Sequence, residues 1–228
     1  LSGGQRQRVA MLRMLAAKPE CILLDEPFSA LDEHVKRSME SELMEMLTDF
    51  HNPVIFVSHN RDEVYRLAER IGSIERGVLS TVRDKKDFFM RPLSVEQALL
   101  VGCNNISEVK WQDKHHLLAV EWDCVFEVND EQLEQTAMDM DDISHIGIFP
   151  QDIIISVGKA KMALAYNDKN IIRIKDYKMI EELKNWEVSC KLNNDSIIYA
   201  SLPKHVEANM LSKNINDGLY IKNFYLLG

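Results

Sequence analysis

The 228-residue sequence predicts an α/β layer over residues 1–95 followed by a small all-β domain over residues 96–228. Two observations carry this. Short apolar runs alternate with helical stripes up to about residue 70, the pattern of parallel strands joined by helices. Beyond about residue 90 the chain turns to β-like segments at regular spacing, separated by turn formers, which suggests a small barrel or sandwich.

Residues 5–17 place Val9, Leu12 and Ala16 at helical spacing behind a Ser-Gly-Gly start. Cys21-Ile-Leu-Leu24 reads as a short buried strand, with Cys21 in the core, that ends in Asp25 and Glu26 and is stopped by Pro27. From Glu33 to Phe50 the residues Val35, Met39, Leu43, Leu47 and Phe50 form the stripe of an amphipathic helix, and Asp32 stands at its N-cap position. Val54-Ile-Phe-Val57 is a second apolar strand, followed by Ser58-His59 and a helix with Asn60 and Glu63 at capping-box spacing.

The domain boundary is placed between residues 90 and 105, with Arg91-Pro92 opening the connection. Strand-like segments follow at 117–128, 145–157, 171–175, 186–192, 196–202 and 219–227, with Asn193-Asn194-Asp195 and Asn216-Asp217-Gly218 as turns.

Composition narrows the function. A net charge of −9 supplies no basic field to displace counterions from phosphates, which argues against nucleic-acid binding. The runs Cys21–Leu24 and Ile153–Ile155 are far below the roughly 20 apolar residues that cross a bilayer. Cys21, Cys103, Cys124 and Cys190 form no CxxC pair, so no zinc site or disulfide framework is expected and a reducing, cytoplasmic setting fits. His34, His51, His115, His116, His145 and His205 have no partner at ligand spacing. The eleven methionines read as packing residues. The chain opens on Leu-Ser-Gly-Gly inside a motif, which predicts a lost or trimmed N-terminus.

Leu1-Ser-Gly-Gly-Gln5, Ile22-Leu-Leu-Asp-Glu-Pro27, Ser29-Ala-Leu-Asp32 and Ser58-His59 occur in this order at compact spacing. Together they resemble the signature motif, Walker B, D-loop and switch histidine of ABC ATPases. The resemblance implies the C-terminal portion of a P-loop ABC ATPase domain, with ATP and Mg²⁺ as cofactors. Ser2, Gly3, Gly4 and Gln5 precede or open a helix, where free N–H groups and absent Cβ atoms make an anion seat. In the family that seat meets the γ-phosphate held by the opposite subunit of a head-to-tail dimer. By the same resemblance Asp25 holds Mg²⁺ through water, Glu26 is the general base, His59 contacts the γ-phosphate and the attacking water, and Asp32 caps its helix and reaches across the dimer. No GxxxxGK[ST] and no Q-loop Gln are present, so these residues alone should bind ATP poorly and hydrolyse none.

Ser58–Arg66 is similar to the post-switch helix of molybdate- and sulfate-type import ATPases, with Asn60 in place of their usual Asp. Val101–Ser107, Leu118–Trp122 and Ile146–Asp152 look like the entry to, and strands of, their OB-like regulatory domain, called TOBE, although Phe149 stands where many of them have Arg. This implies an energy-coupling subunit of a molybdate or related oxyanion importer. It would lie peripherally on the cytoplasmic face of the plasma membrane and work with membrane permease subunits and a periplasmic or lipid-anchored solute-binding protein. Two alternatives stay open: a stand-alone oxyanion sensor built on residues 100–228, and a soluble, non-transport ABC ATPase.

Overall fold

The computed structural model describes residues 3–136, 138–155, 171–204 and 218–228. The chain forms two compact units, Leu1–Phe88 and Phe89–Gly228. Ser2, His205 and the Asn216-Asp217 part of the last turn lie outside the described residues.

In the first unit, α1 (Gly3–Ala16) leads to β1 (Ile22–Asp25), α2 (Glu33–Leu47), β2 (Val54–Val57) and α3 (Arg61–Leu67). β1 and β2 pair in parallel, with Ile22 opposite Val54 and Asp25 opposite Val57. Because side chains alternate along a strand, Ile22 and Leu24 face inward onto Phe28, Met39, Leu43 and Met11. On the other face Leu23, Ile55 and Val57 stay exposed, at 70%, 54% and 47%.

Three sequence expectations are corrected here. Cys21 is exposed, because the strand begins one residue later. In α1 the buried residue is Met11, while Val9 and Leu12 face outward, so the spacing gave the helix but not its rotation. Likewise α2 buries Met39 and Leu43 but leaves Val35 exposed.

Two hairpins close the unit: β3 (Arg70–Ile71) with β6 (Arg83–Asp84), and between them β4 (Ile74–Glu75) with β5 (Val78–Leu79). The inner loop, Arg76-Gly77, has φ of +50° and +83°, the left-handed pair that a two-residue hairpin requires. α4 (Lys85–Met90) follows.

The second unit opens with α5 (Val95–Val101), capped by the Ser94 hydroxyl, which accepts from the Gln97 amide, and stopped by Gly102 in the left-handed region. Next come β7 (Asn105–Trp111), β8 (His116–Ala119), β9 (Cys124–Glu127), α6 (Asp130–Thr136), β10 (His145–Ile148), β11 (Ile153–Ile155) and β12 (Ile171–Ile172). The chain ends with β13 (Ile174–Glu181), β14 (Asn185–Leu192), β15 (Ile197–Pro203), β16 (Leu219–Ile221) and β17 (Tyr225–Leu227). Among the described residues every pairing in this unit is antiparallel, in three sheets ordered β17-β10-β7-β8-β9, β11-β16-β12 and β13-β14-β15.

One core joins the sheets, built from Leu117, Phe126, Ile146, Ile148, Ile172, Val188, Ile198 and their neighbours. Asn105 ties two of them: its Nδ2 donates to the carbonyls of Ile148 (3.1 Å) and Tyr199 (2.8 Å), and its Oδ1 accepts from the Tyr199 amide at 2.7 Å. Among the described residues the expected all-β domain therefore carries two α-helices, α5 and α6, and the expected strand 117–128 is two strands broken at Val120–Asp123. Burial pushes the thiols of Cys103 and Cys190 up to about 12 and that of Cys124 to about 11.

Candidate active site

The parallel ladder runs one bond past β1: the Glu26 amide donates to the Val57 carbonyl at 2.9 Å. There the backbone leaves the strand through the left-handed region, with φ of +46° at Glu26. A non-glycine residue holds that conformation only when its surroundings fix it. Ser29 does so from both its amide (3.2 Å) and its hydroxyl (3.0 Å), which donate to the Glu26 carbonyl. Phe28 is fully buried and its ring meets that of Phe56 at 6.3 Å, so the turn is anchored in the core.

The turn aims the half-buried Glu26 carboxylate at the end of β2. Its Oε1 accepts from the His59 amide at 2.9 Å and lies 2.6 Å from the His59 ring Nδ1. The ring hydrogen bond holds the Glu26 carboxyl below its ordinary value against some desolvation, with the His59 amide and the Lys36 ammonium adding to the effect. The result is an ionised carboxylate and an imidazole, in contact, at the carboxyl ends of two parallel strands, where open α/β sheets gather their chemistry.

The structure thus brings Glu26 and His59 together. Asp25 is exposed at the end of β1, where its backbone belongs to the ladder, and its carboxylate makes no hydrogen bond or ion pair among the described residues. Asp32 takes the N-cap position of α2 with extended backbone, but its side chain makes no capping bond, so that half of its expected role falls away. Gly3, Gly4 and Gln5 form the first turn of α1, a separate element tied to α2 through the Arg8–Glu42 ion pair. Among the described residues no three His, Cys, Asp or Glu side chains converge on a metal position. Asp25 is the residue that would hold Mg²⁺ through water, its carboxylate standing exposed at the end of β1.

Sequence reading missed the residues behind His59. The Ser58 hydroxyl donates to Glu63 Oε2 at 2.6 Å and accepts from the Asn60 amide at 3.0 Å. The other Glu63 oxygen pairs with Lys36 of α2, both side chains being buried. Asn60 caps α3 as expected, accepting from the amides of Asp62 (3.0 Å) and Glu63 (3.1 Å), but Glu63 does not complete a capping box because its carboxylate is engaged elsewhere. The only advance signal was a Ser beside the His and a Glu on the inner face of the next helix.

Residues 1–29 match the family model described as ABC transporter. An Fe(3+) ions import ATP-binding protein of Haemophilus influenzae is 44% identical over 102 residues, covering 45% of this chain and 29% of that protein. A spermidine/putrescine import ATP-binding protein of Roseobacter denitrificans is 36% identical over 166 residues, covering 71% and 44%. A molybdate/tungstate import ATP-binding protein of Pyrococcus horikoshii is 42% identical over 108 residues, covering 47% and 31%. The chain spans less than half the length of these relatives, and their names cover a metal ion, polyamines and oxyanions, so the likeness singles out no solute. Among the described residues no helix is long and apolar enough to cross a membrane.

Proposed function

We propose that this chain is the C-terminal part of the ATP-hydrolysing, energy-coupling subunit of an ABC importer. The observation that carries the proposal is the Glu26–His59 contact at the carboxyl ends of β1 and β2, in a chain similar to import ATP-binding proteins. Bound Mg²⁺ would neutralise charge on the transferring phosphate. Asp25 orients its water shell, and Glu26, held ionised, takes the proton of the attacking water. His59 fixes the Glu26 carboxylate through two donors and offers its ring edge to the phosphate. Gly3, Gly4 and Gln5 present the N-terminus of α1, with Ser2 next to them in sequence, to the nucleotide of a second copy, and Asp32, unburdened by capping, reaches across the same dimer.

The P-loop this activity needs is not among the 228 residues, so in this reading these residues alone are inactive. The partners are a second copy, permease subunits in the membrane and a solute-binding protein, with the subunit lying on the cytoplasmic membrane face. The second unit is read as the TOBE-like regulatory domain. For the solute, a molybdate-type oxyanion is the first reading, resting on Ser58–Arg66 and Val101–Ser107. A polyamine is the second, favoured by the 71% of this chain that the spermidine/putrescine relative covers.

In the complete subunit, Glu26→Gln should keep ATP binding and lower the hydrolysis rate by about 100-fold or more, since it removes the base and keeps its shape. Hydrolysis within about threefold of wild type, less than 1 kcal/mol of barrier, rejects Glu26 as the base. Uptake of labelled molybdate and labelled spermidine by cells carrying the transporter, with Glu26→Gln as the dead control, decides the solute.

A further inference from the structure

His59 sits between two residues that are both pinned to α3. On one side the Ser58 hydroxyl donates to Glu63; on the other Asn60 caps the helix and gives its amide to Ser58. With both neighbours fixed, the His59 amide and ring are left facing Glu26. Glu63 is in turn fixed by Lys36, on the helix that follows the Glu26 turn. One turn farther along the same two helices, Arg66 reaches Glu40 with two bonds of 2.7 and 2.8 Å, and Glu40 is buried.

The two ion pairs have opposite polarity: α2 gives the cation in the first and the anion in the second. A slip of one turn would set Lys36 against the exposed Arg66, or the buried Glu40 against the buried Glu63, bringing like charges together in either case. The pairs therefore fix one register between the helix that leaves Glu26 and the helix that leaves His59. Buried pairs are weak as a source of stability and well suited to this kind of register setting.

We propose that Ser58 and Glu63, braced by Lys36, are positioning residues that hold the His59 amide and ring on the Glu26 carboxylate. Their role in hydrolysis rests on the assignment of Glu26 and His59 given above, whereas their hold on the Glu26–His59 contact does not.

The test uses Ser58→Ala, Ser58→Thr and the charge-free double variant Lys36→Met with Glu63→Leu, which removes the pair without stranding a buried charge. Each is prepared in the complete subunit and followed by ATPase kinetics, thermal midpoint and the NMR signature of the hydrogen-bonded His59 Nδ1, which Glu26→Gln identifies by abolishing it. Ser58→Ala should erase that signature and lower kcat by about tenfold or more, with KM for ATP within about twofold. Ser58→Thr should restore both. The double variant should lose the signature while remaining folded, which keeps the idea testable if Ser58→Ala does not fold. An intact signature and kcat in folded Ser58→Ala, or in the double variant, overturns the proposal and leaves the network a packing feature. Loss of the signature in Ser58→Ala, combined with normal hydrolysis in Glu26→Gln, upholds the positioning role and rejects the base assignment instead.

Discussion

Glu26 carries two burdens, a left-handed backbone and an ionised side chain, and they can be separated. Glu26→Ala and Glu26→Gly both delete the carboxylate, but only glycine accepts a φ of +46° without cost. The glycine variant should therefore be the more stable of the two by about 1 kcal/mol in urea titrations, with both inactive. The lowered carboxyl pKa makes a second prediction at this residue. A carboxylate with a depressed native pKa contributes stability above its ordinary titration range and loses it as pH falls through the depressed value. The stability gap between wild type and His59→Ala should accordingly shrink on acidification through that window, and carbon NMR of the Glu26 carboxyl should show its midpoint moving up in His59→Ala. Glu26 and His59 stood out in the sequence because the resemblance to the Walker B and switch motifs names them and each follows an apolar strand. Ser58 and Glu63 were not, since local spacing pointed Glu63 at the Asn60 amide while its partner, Lys36, is 27 residues away in sequence.

Among the elements, those with a strong period were legible: β2 falls where its apolar pattern puts it, β1 starts one residue later than expected, and α2 ends at Leu47, three residues before the end of its apolar stripe at Phe50. The hairpins of residues 70–84 escaped notice because two-residue strands are too short to alternate. β7 escaped because Asn105, Ser107, Glu108 and Lys110 break its apolar pattern, although Asn105 is buried and satisfied by groups 43 and 94 residues away. That difference between local and distant bonding can be measured. Asn60→Ala removes an exposed-end helix cap and should cost about 1 kcal/mol. Asn105→Ala strands the buried carbonyl of Ile148 and the partly buried amide and carbonyl of Tyr199 and should cost about 1–3 kcal/mol, with a visible drop in the denaturation midpoint of the second unit.

Across the whole molecule, the sequence puts the change from α/β to β segments near residue 90, where composition and period alter together, whereas antiparallel pairing already begins with the hairpins of residues 70–84. What composition hides is which apolar residues a unit leaves outside. Leu23, Ile55 and Val57 form a bare face on a parallel pair, a kind of sheet that is ordinarily covered on both sides. Their sequence gives no sign of this, because an apolar strand reads the same whether one face or two are packed.

The uneven burial of the four cysteines makes the chain a ready-made chemical clock. A thiol with a pKa of about 12 is thiolate in only on the order of one molecule in 10⁵ near neutral pH, and Cys103 and Cys190 are also walled in. Cys124 is partly covered and shifted to about 11. Cys21 is in the open, five residues before Glu26 in the chain. A maleimide dye should therefore mark the folded protein once, at Cys21, and Cys21→Ser should abolish that fast phase. The slow couplings at Cys103 and Cys190 would then time the openings of the second unit directly, because modification of a buried thiol can follow only the moments when its core is exposed.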